Sequence, residues 1–384
     1  MGAVAVSGIG SVSCVGIGAD ALWKSAVEGR SGIVGGLGWI PENDIHHLKT
    51  LFPDAHQLSR SVLIAYAAIT EALQHAGWSG LSDDDGLIIA TTAGQISFWE
   101  DELIRFLHKE IAAPEFAKSI RHQSLGSVVE VVAKLMGFRG RTMLVSSACS
   151  AATQAIGLGA LWVEQGTVRR CLVGGTEVLS KLTLEGFRSL QLLSPEVSMP
   201  FDENRAGINL SEGAAFLCLE ADAQRALARV TGCGFSTDAY HMASPHPEGK
   251  GCYTAMKGAL DRAGIEPAAV SWVHAHGTAS RANDSAEGNA ISQLFGKPGP
   301  WVSSTKGIHG HALGASGAVE AVLCVQALRH QIVPATHGLK NPDATIPVRH
   351  PEKTMSFELR HVLKNTLGFG GNNAAIVLSK GAGR

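Results

Sequence analysis

Short apolar runs alternate with longer amphipathic segments along this 384-residue chain. The apolar runs predict buried strands at residues 4–8, 87–92, 143–147, 171–174, 215–219, 230–234, 272–275, 301–304 and 374–378. The segments with helical spacing predict helices at residues 59–75, 150–166, 253–263 and 315–330. Strands that alternate with helices in this way are typical of an α/β fold, in which helices cover buried sheets.

Four short patterns occur twice, in the same order, in the two parts of the chain. The matching pairs are residues 6–10 with 230–234, 71–77 with 258–264, 145–147 with 302–304, and 213–217 with 373–377. Chance similarity between stretches rich in glycine and alanine is the alternative, but the shared order favours a duplicated α/β unit. We expect an N-terminal half of residues 1–222, carrying insertions near 23–60 and 95–122, and a C-terminal half of residues 223–384.

Composition narrows the class of protein. The chain has 45% hydrophobic residues, and its 32 Lys and Arg nearly balance its 34 Asp and Glu, which excludes a disordered chain and argues against nucleic acid as a partner. Residues 1–19 lack a basic signal-peptide region, and residues 142–163 divide into a strand and a helix, so we expect no membrane insertion. Seven cysteines without a CxxC pair indicate buried thiols and a cytoplasmic location.

Cys149 is the first candidate for chemistry. The predicted strand at residues 143–147 leads directly into small residues around Cys149, where a helix begins. Unpaired N–H groups at a helix N-terminus favour a thiolate, so we expect the pKa of Cys149 to lie below the free value of about 8.5. The alternative is another buried structural cysteine.

Two His-x-His pairs are compatible with two kinds of site. His274 and His276 close one predicted strand, and His309 and His311 follow another. Because residues two apart share a face of a strand, four imidazoles could form a tetrahedral zinc site. One imidazole from each pair beside Cys149 would instead suit nucleophilic catalysis. No HExxH motif or cysteine pair accompanies the histidines, so we favour the second site and expect no metal.

Several blocks resemble the signature blocks of the β-ketoacyl-acyl-carrier-protein synthases, over essentially the whole chain and in the family's order. They are Ser147-Ala148-Cys149-Ser150-Ala151, His276-Gly277-Thr278-Ala279-Ser280 with Asp284 and Glu287, the block from Lys306 to Ala315, the block from Gly368 to Asn373, and a fifth containing Pro200-Phe201-Asp202, Arg205, Gly207 and Glu212-Gly213-Ala214. The resemblance implies an elongating condensing enzyme of the Cys-His-His type. It also implies a thiolase-like α/β fold, whose duplicated halves form a layered α-β-α-β-α sandwich.

The resemblance implies a decarboxylative Claisen condensation between an acyl group on Cys149 and malonyl-ACP (acyl carrier protein), which yields 3-ketoacyl-ACP. The catalytic residues that it implies are Cys149, His276, His311, Lys306 and Glu320. It assigns the backbone N–H groups of Cys149 and Phe369 to the oxyanion hole, and Thr278, Ser280, Phe369 and Gly370 to substrate binding. Asp284 and Glu287 are expected to be structural or to support the site. No cofactor is expected beyond the phosphopantetheine that ACP carries.

Departures from the family's pattern leave the pathway open. His274 stands where Asn or Glu is usual, Leu367 and Ile208 replace Phe, and residues 91–99, where the acyl pocket is expected, match poorly. A polyketide or polyene pathway is therefore as open as fatty-acid elongation. A non-catalytic chain-length-setting subunit usually lacks the cysteine that this chain has at position 149. A degradative thiolase typically has a second catalytic cysteine near its C-terminus, and none follows Cys324.

The resemblance also implies partners. We expect a homodimer or a heterodimer with a ketosynthase-like subunit, together with docking of an acidic ACP on a basic rim. Candidate cations in the predicted insertions are Lys49, Arg60, Lys118 and Arg121.

Overall fold

The computed structural model describes residues 2–52, 58–120, 122–221 and 226–381. The strands are β1 (Val4–Ser13), β2 (Gly16–Ile17), β3 (Gly86–Ala90), β4 (Arg141–Val145), β5 (Arg170–Glu177), β6 (Gly213–Glu220), β7 (Ala228–Thr237), β8 (Val270–His274), β9 (Trp301–Ser303), β10 (Ile332–Val333), β11 (Met355–Ser356), β12 (His361–Leu367) and β13 (Asn372–Lys380). The α-helices are α1 (Ala19–Glu28), α2 (Glu42–Leu51), α3 (Arg60–Ala76), α4 (Ile96–Leu107), α5 (Ala113–Ile120), α6 (Ser127–Leu135), α7 (Ala151–Glu164), α8 (Lys181–Ser189), α9 (Lys250–Ala263), α10 (Arg281–Phe295), α11 (Lys306–His309) and α12 (Ser316–His330).

All nine predicted strands and all four predicted helices are present, with ends shifted by a few residues. The longest strand that the apolar pattern missed is β12. Its polar stretch Lys364-Asn365-Thr366 interrupts the apolar run, yet all three residues are fully buried. Their polar atoms bond to other buried groups, which makes a strand of this composition possible.

Ten strands form one continuous sheet in the order β4-β3-β5-β6-β1-β7-β13-β12-β8-β9, and β2 is added beside β1. Strands β1 and β7 pair antiparallel at the centre. Outward from β1, the next two pairings are antiparallel and the following two are parallel, and the same sequence of pairings runs outward from β7. A duplicated unit would produce this symmetry. The boundary at residues 222 and 223 stays a prediction, because it falls in a segment outside the described residues.

Three hydrophobic clusters show how the helices cover the sheet. One cluster joins α3 and α6 to the outer face of strands β4, β3, β5, β6 and β1. Another joins α9 and α10 to the outer face of the other half of the sheet, from β7 to β9 in sheet order. The largest cluster places α7 and α12 between the inner faces. The order α-β-α-β-α confirms the predicted layering.

The uncharged segment at residues 142–163 is divided between β4 and α7, as its composition predicts. Within the described parts of the chain, every helix is too short or too polar to cross a lipid bilayer.

Two strand glycines allow each half to pack its outer helix closely. A Cβ added at Gly10 in β1 would lie 2.1 Å from the carbonyl oxygen of Ala68 in α3. A Cβ added at Gly234 in β7 would lie 2.1 Å from the carbonyl oxygen of Ala255 in α9. These contacts require glycine because they bring backbone against backbone.

We therefore expect Gly234→Ala to lower the free energy of unfolding by about 1–3 kcal/mol, because α9 must move outward from the sheet. Denaturant unfolding followed by circular dichroism measures the change. The matched control is Gly186→Ala in α8, where nothing lies within 4 Å of the added Cβ. Equal stability of the two variants would contradict the close-packing argument.

Candidate active site

The chain turns sharply between β4 and α7 to place Cys149. Ala148 has a φ of 51°, a left-handed conformation that is rare for a residue with a side chain. Cys149 is only 4% exposed, and it lies in the lining of a cavity of about 470 Å³. Exposed residues such as Asn204 and Arg281 line the same cavity, so it extends from the buried sulfur to the protein surface.

Burial raises the pKa of the Cys149 thiol to about 11. The positive charge of Lys306 and the backbone N–H groups of Phe369 and Cys149 act in the opposite direction, but they do not outweigh the loss of hydration. The prediction of a lowered pKa is therefore wrong, because the helix N-terminus was considered without the burial around it. At neutral pH the group is a thiol, and a neighbouring base must accept its proton.

A simple pH series tests this protonation state. We expect alkylation of Cys149 by iodoacetamide to accelerate about tenfold per pH unit from about pH 7 to 9, because only the thiolate reacts. Peptide mapping of the alkylated protein gives the rate at this residue alone. A rate that levels off below about pH 8 would show a thiolate and contradict the raised pKa.

One histidine of each pair faces Cys149. The rings of His276 and His311 have centroids 5.2 Å apart and planes at 87°. The Cys149 sulfur and one nitrogen of each ring all lie within 4.8 Å of one another. This is the Cys–His–His arrangement that the motifs predicted.

The other two histidines meet elsewhere. His274 Nε2 and His309 Nε2 each lie 2.9 Å from the hydroxyl oxygen of Thr305. Strand β8 ends at His274, so His274 and His276 no longer share a face. The zinc site of four converging imidazoles is therefore wrong for this chain.

Lys306 sets the proton position on His276. Its Nζ lies 3.4 Å from His276 Nδ1 and donates a 2.7 Å hydrogen bond to the His276 carbonyl. An ammonium group has donors only, so Nδ1 accepts and the ring proton lies on Nε2. Burial, reinforced by the charge of Lys306, lowers the pKa of both His276 and His311 well below the usual histidine value. Both imidazoles are therefore neutral at neutral pH.

Lys306 and Glu320 form a buried ion pair, as the resemblance implied. The second carboxylate oxygen of Glu320 lies 2.8 Å from Nζ of Lys364 in β12. Burial raises the pKa of Glu320, but the two lysines outweigh this effect and hold it well below the usual glutamate value. Glu320 is therefore ionised between two ammonium groups.

Glu287 and Asp284 hold the loop after β8 by its backbone. Glu287 accepts hydrogen bonds from the N–H groups of His276 and Gly277, at 2.7 and 2.8 Å. Asp284 accepts bonds from the N–H groups of Thr278 and Phe201, at 3.1 and 2.8 Å. The two carboxylates are fully buried and are not among the residues that line the cavity. The hydrogen bonds of both residues are thus directed to the backbone that carries His276 and Thr278.

The proposed substrate-binding residues separate into two groups. Thr278, Ser280 and Phe369 line the cavity, and the Phe369 ring stacks on Phe187 with centroids 5.4 Å apart. Gly370 is absent from the lining, has a φ of 76°, and donates its N–H to the Met242 carbonyl at 2.7 Å. Gly370 therefore shapes the loop that carries Phe369.

Three further residues of the site were missed by sequence reasoning. Ser316 lies 2.8 Å from His311 Nδ1, and Glu177 accepts N–H bonds from Thr92 and Gly314. Lys364 binds Glu320 as described above. The available signals were a charged residue inside an apolar strand for Lys364 and a glutamate that ends a buried strand for Glu177.

Comparison with known proteins agrees with this geometry. Residues 42–225 match the family model of the β-ketoacyl synthase N-terminal domain, and residues 227–340 match that of its C-terminal domain. The 3-oxoacyl-[acyl-carrier-protein] synthase 2 of Synechocystis sp. is 31% identical over 413 residues, covering 98% of each chain. This chain belongs to the β-ketoacyl synthase family.

Solved structures of β-ketoacyl synthases have the same fold along the whole chain. The ishigamide ketosynthase/chain length factor matches with a TM-score of 0.90 and 28% identity, covering 99% of each chain. A chain of the complex between the ketosynthase ApeO and its chain length factor ApeC, from Xenorhabdus doucetiae, matches with a TM-score of 0.85 and 29% identity, covering 99% of this chain and 98% of the other. These matches confirm the predicted thiolase-like fold.

Some departures of this β-ketoacyl synthase from the family's sequence pattern lie in the cavity lining, and others lie outside it. Leu367 and Ile208 line the cavity. Residues 91–99 do not line it. Gln95 in that segment is buried, where it bonds Ser59 at 2.6 Å and Ser127 at 2.8 Å. That segment therefore ties α3 to α6 and contributes no surface to the cavity.

The four basic candidates for ACP docking differ in exposure and in ion pairing. Lys49 and Lys118 are exposed on α2 and α5. Arg60 is not free for a partner, because its guanidinium binds the buried Glu212 at 2.7 Å and Glu42 at 2.6 Å. Arg121 lies outside the described residues.

Proposed function

We propose that this β-ketoacyl synthase catalyses decarboxylative condensation of an acyl group on Cys149 with a malonyl thioester. The observation that carries the proposal is the cluster of one thiol and two neutral imidazoles in a cavity that extends to the surface. A single sulfur nucleophile with two hydrogen-bond donors is suited to acyl transfer followed by enolate formation.

In the acylation step, the Cys149 sulfur attacks the carbonyl carbon of the incoming acyl thioester. The backbone N–H groups of Cys149 and Phe369 both lie against the sulfur, which puts them close to the oxyanion that the attack creates. Such donors stabilise the tetrahedral intermediate. The carrier's thiolate leaves with the proton given up by Cys149. His276 Nε2 already carries a proton, so the neutral His311 ring conveys it, and the Ser316 hydroxyl at His311 Nδ1 can accept or donate as the ring proton moves.

In the condensation step, the malonyl group loses CO₂, and the bonding electrons form an enolate. His276 Nε2–H and the neutral His311 ring donate to the enolate oxygen, where negative charge develops. The enolate carbon then attacks the Cys149 thioester and displaces the sulfur, giving the 3-ketoacyl product. Lys306 and Glu320 hold His276 in its donating tautomer. These reaction steps require no metal or other cofactor.

The cavity suits a phosphopantetheine arm. Thr278 and Ser280 place two hydroxyl groups in its lining, 3.4 Å apart, where they can bond the amides of the arm. Phe369 lies on a loop with two glycines of positive φ, so we assign it to gating of the acyl and malonyl stages. We also propose that the partner is an acyl carrier protein, because the curated relatives are named as synthases that act on it.

The proposal also covers the protein's cellular location and its partner subunit. Seven free, buried cysteines fit a reducing cytoplasm. A second ketosynthase-like subunit is proposed because the ApeO structure contains a ketosynthase with its chain length factor. Cys149 favours an active subunit over a chain-length-setting one.

A covalent inhibitor tests the function directly. Incubation with a cerulenin-like electrophile should modify Cys149 and stop formation of 3-ketoacyl-ACP, measured by mass spectrometry of intact ACP. Chelator treatment alone should leave product formation unchanged. An adduct at another cysteine, or undiminished product after complete labelling of Cys149, would overturn the proposal.

ACP docking gives a separate prediction. Reversing Lys118 and Arg121 to glutamate should raise the KM for ACP substrates several-fold, because like charges weaken encounter with an acidic carrier. The alkylation rate of Cys149 should not change. Reversing Lys257, which pairs with Asp261 in α9, provides a control for a change of surface charge. An unchanged KM would remove Lys118 and Arg121 from the docking surface.

A further inference from the structure

Lys364 is a second buried lysine beside an ion pair that is already complete. It is fully buried in β12, and the Lys306–Glu320 pair lies next to it. Removing an ammonium group from water costs several kcal/mol unless it is well paired. Since Lys306 alone neutralises Glu320, the second lysine calls for a second negative charge.

Glu287 is a second buried carboxylate beside this cluster. Asn365, the residue after Lys364, donates a 2.7 Å hydrogen bond to Glu287. Burial raises the pKa of Glu287, and the positive charge of Lys364 opposes the rise. The cluster therefore balances two lysines against two glutamates. Lys364 Nζ also donates to the Asn365 carbonyl and, at 2.9 Å, to the Thr366 hydroxyl, so its position is well determined.

Both glutamates act on His276. Glu287 accepts the His276 N–H at 2.7 Å. Glu320 binds Lys306, whose Nζ donates to the His276 carbonyl and approaches Nδ1. The backbone and the ring of His276 are thus held by Glu287 and by the Lys306–Glu320 pair, and Lys364 binds Glu320 directly.

We propose that Lys364 is a positioning residue for His276, as the shared counter-charge of Glu320 and Glu287. This inference rests on the proposed function, and it assigns Lys364 to the decarboxylation step. Lys364 is absent from the cavity lining, so it does not contact substrate. Removing the lysine charge should therefore weaken stabilisation of the transition state, seen in kcat, more than substrate binding, seen in KM.

The test is Lys364→Met, assayed for CO₂ release from malonyl-ACP. We expect kcat to fall about tenfold and KM to stay within about twofold, since residues that share one ion-pair network couple by roughly this amount. Alkylation of Cys149 should proceed at the wild-type rate. A wild-type kcat, or a loss in KM alone, would overturn the inference.

The matched control is Cys324→Ala, which alters a buried side chain one turn from Glu320 on α12 without changing charge. Cys324→Ala should keep the wild-type kcat. If kcat fell equally in Cys324→Ala and Lys364→Met, the role of Lys364 would be packing alone. If Lys364→Met does not fold, Lys364→Met/Glu287→Gln removes one charge of each sign. That double variant should fold with at least the same loss in kcat, and failure to fold would contradict the charge balance. A wild-type protein that releases no CO₂ would instead contradict the proposed function.

Discussion

Cys149→Ala is expected to reduce condensation by about 10⁴-fold or more, because the variant has no group that can carry the acyl chain. Cys149→Gln should also fail to condense, yet it should still release CO₂ from malonyl-ACP. The imidazoles of His276 and His311 remain in place in that variant, and they stabilise the enolate without help from the sulfur.

Two assays on the same protein samples separate the steps. Mass spectrometry of ACP measures condensation, and release of labelled CO₂ measures decarboxylation. Cys233→Ala, a change at another buried cysteine on β7, serves as a control and should retain both activities. Loss of both activities in a folded Cys149→Gln variant would contradict the division of labour between thiol and imidazoles.

Glu320→Gln is expected to lower the free energy of unfolding by about 3–5 kcal/mol, because it leaves Lys306 and Lys364 buried without their common partner. CO₂ release should fall with it, since Lys306 is no longer held against His276. Denaturant unfolding at neutral pH measures the stability change. Cys324→Ala on the same helix should lose much less.

The pH dependence of stability has a definite sign. The folded-state pKa of Glu320 is lowered, so its contribution to stability is fully present above the glutamate pKa of the unfolded chain and is lost as pH falls through the folded value. The difference between wild type and Glu320→Gln should therefore shrink only in acid. A constant difference down to pH 2 would contradict the role of the ionised carboxylate.

Much of the site could be predicted because its residues lie in local patterns. Cys149 follows a strand, and His276 and His311 follow strands of the second half. Strands β8 and β9 are parallel neighbours, so the loops that follow them bring His276 and His311 together. Cys149 follows β4 at the other end of the sheet, and it meets the histidines because α7 lies in the layer between the two halves. Lys364 gives a weaker signal, because a charged residue inside a strand is equally compatible with a solvent-facing position. Only the packing of α12 against β12 provides Glu320 as its partner.

The sequence by itself determined the α/β elements, their repeated order and the Cys–His–His set, because apolar periodicity and short motifs are properties of neighbouring residues. The tertiary structure decided the protonation of that set. Burial turned the expected thiolate into a thiol with a pKa of about 11, and it holds both imidazoles neutral. A side chain loses its hydration only when segments distant in the sequence pack over it. A local sequence pattern therefore cannot show the resulting pKa shift.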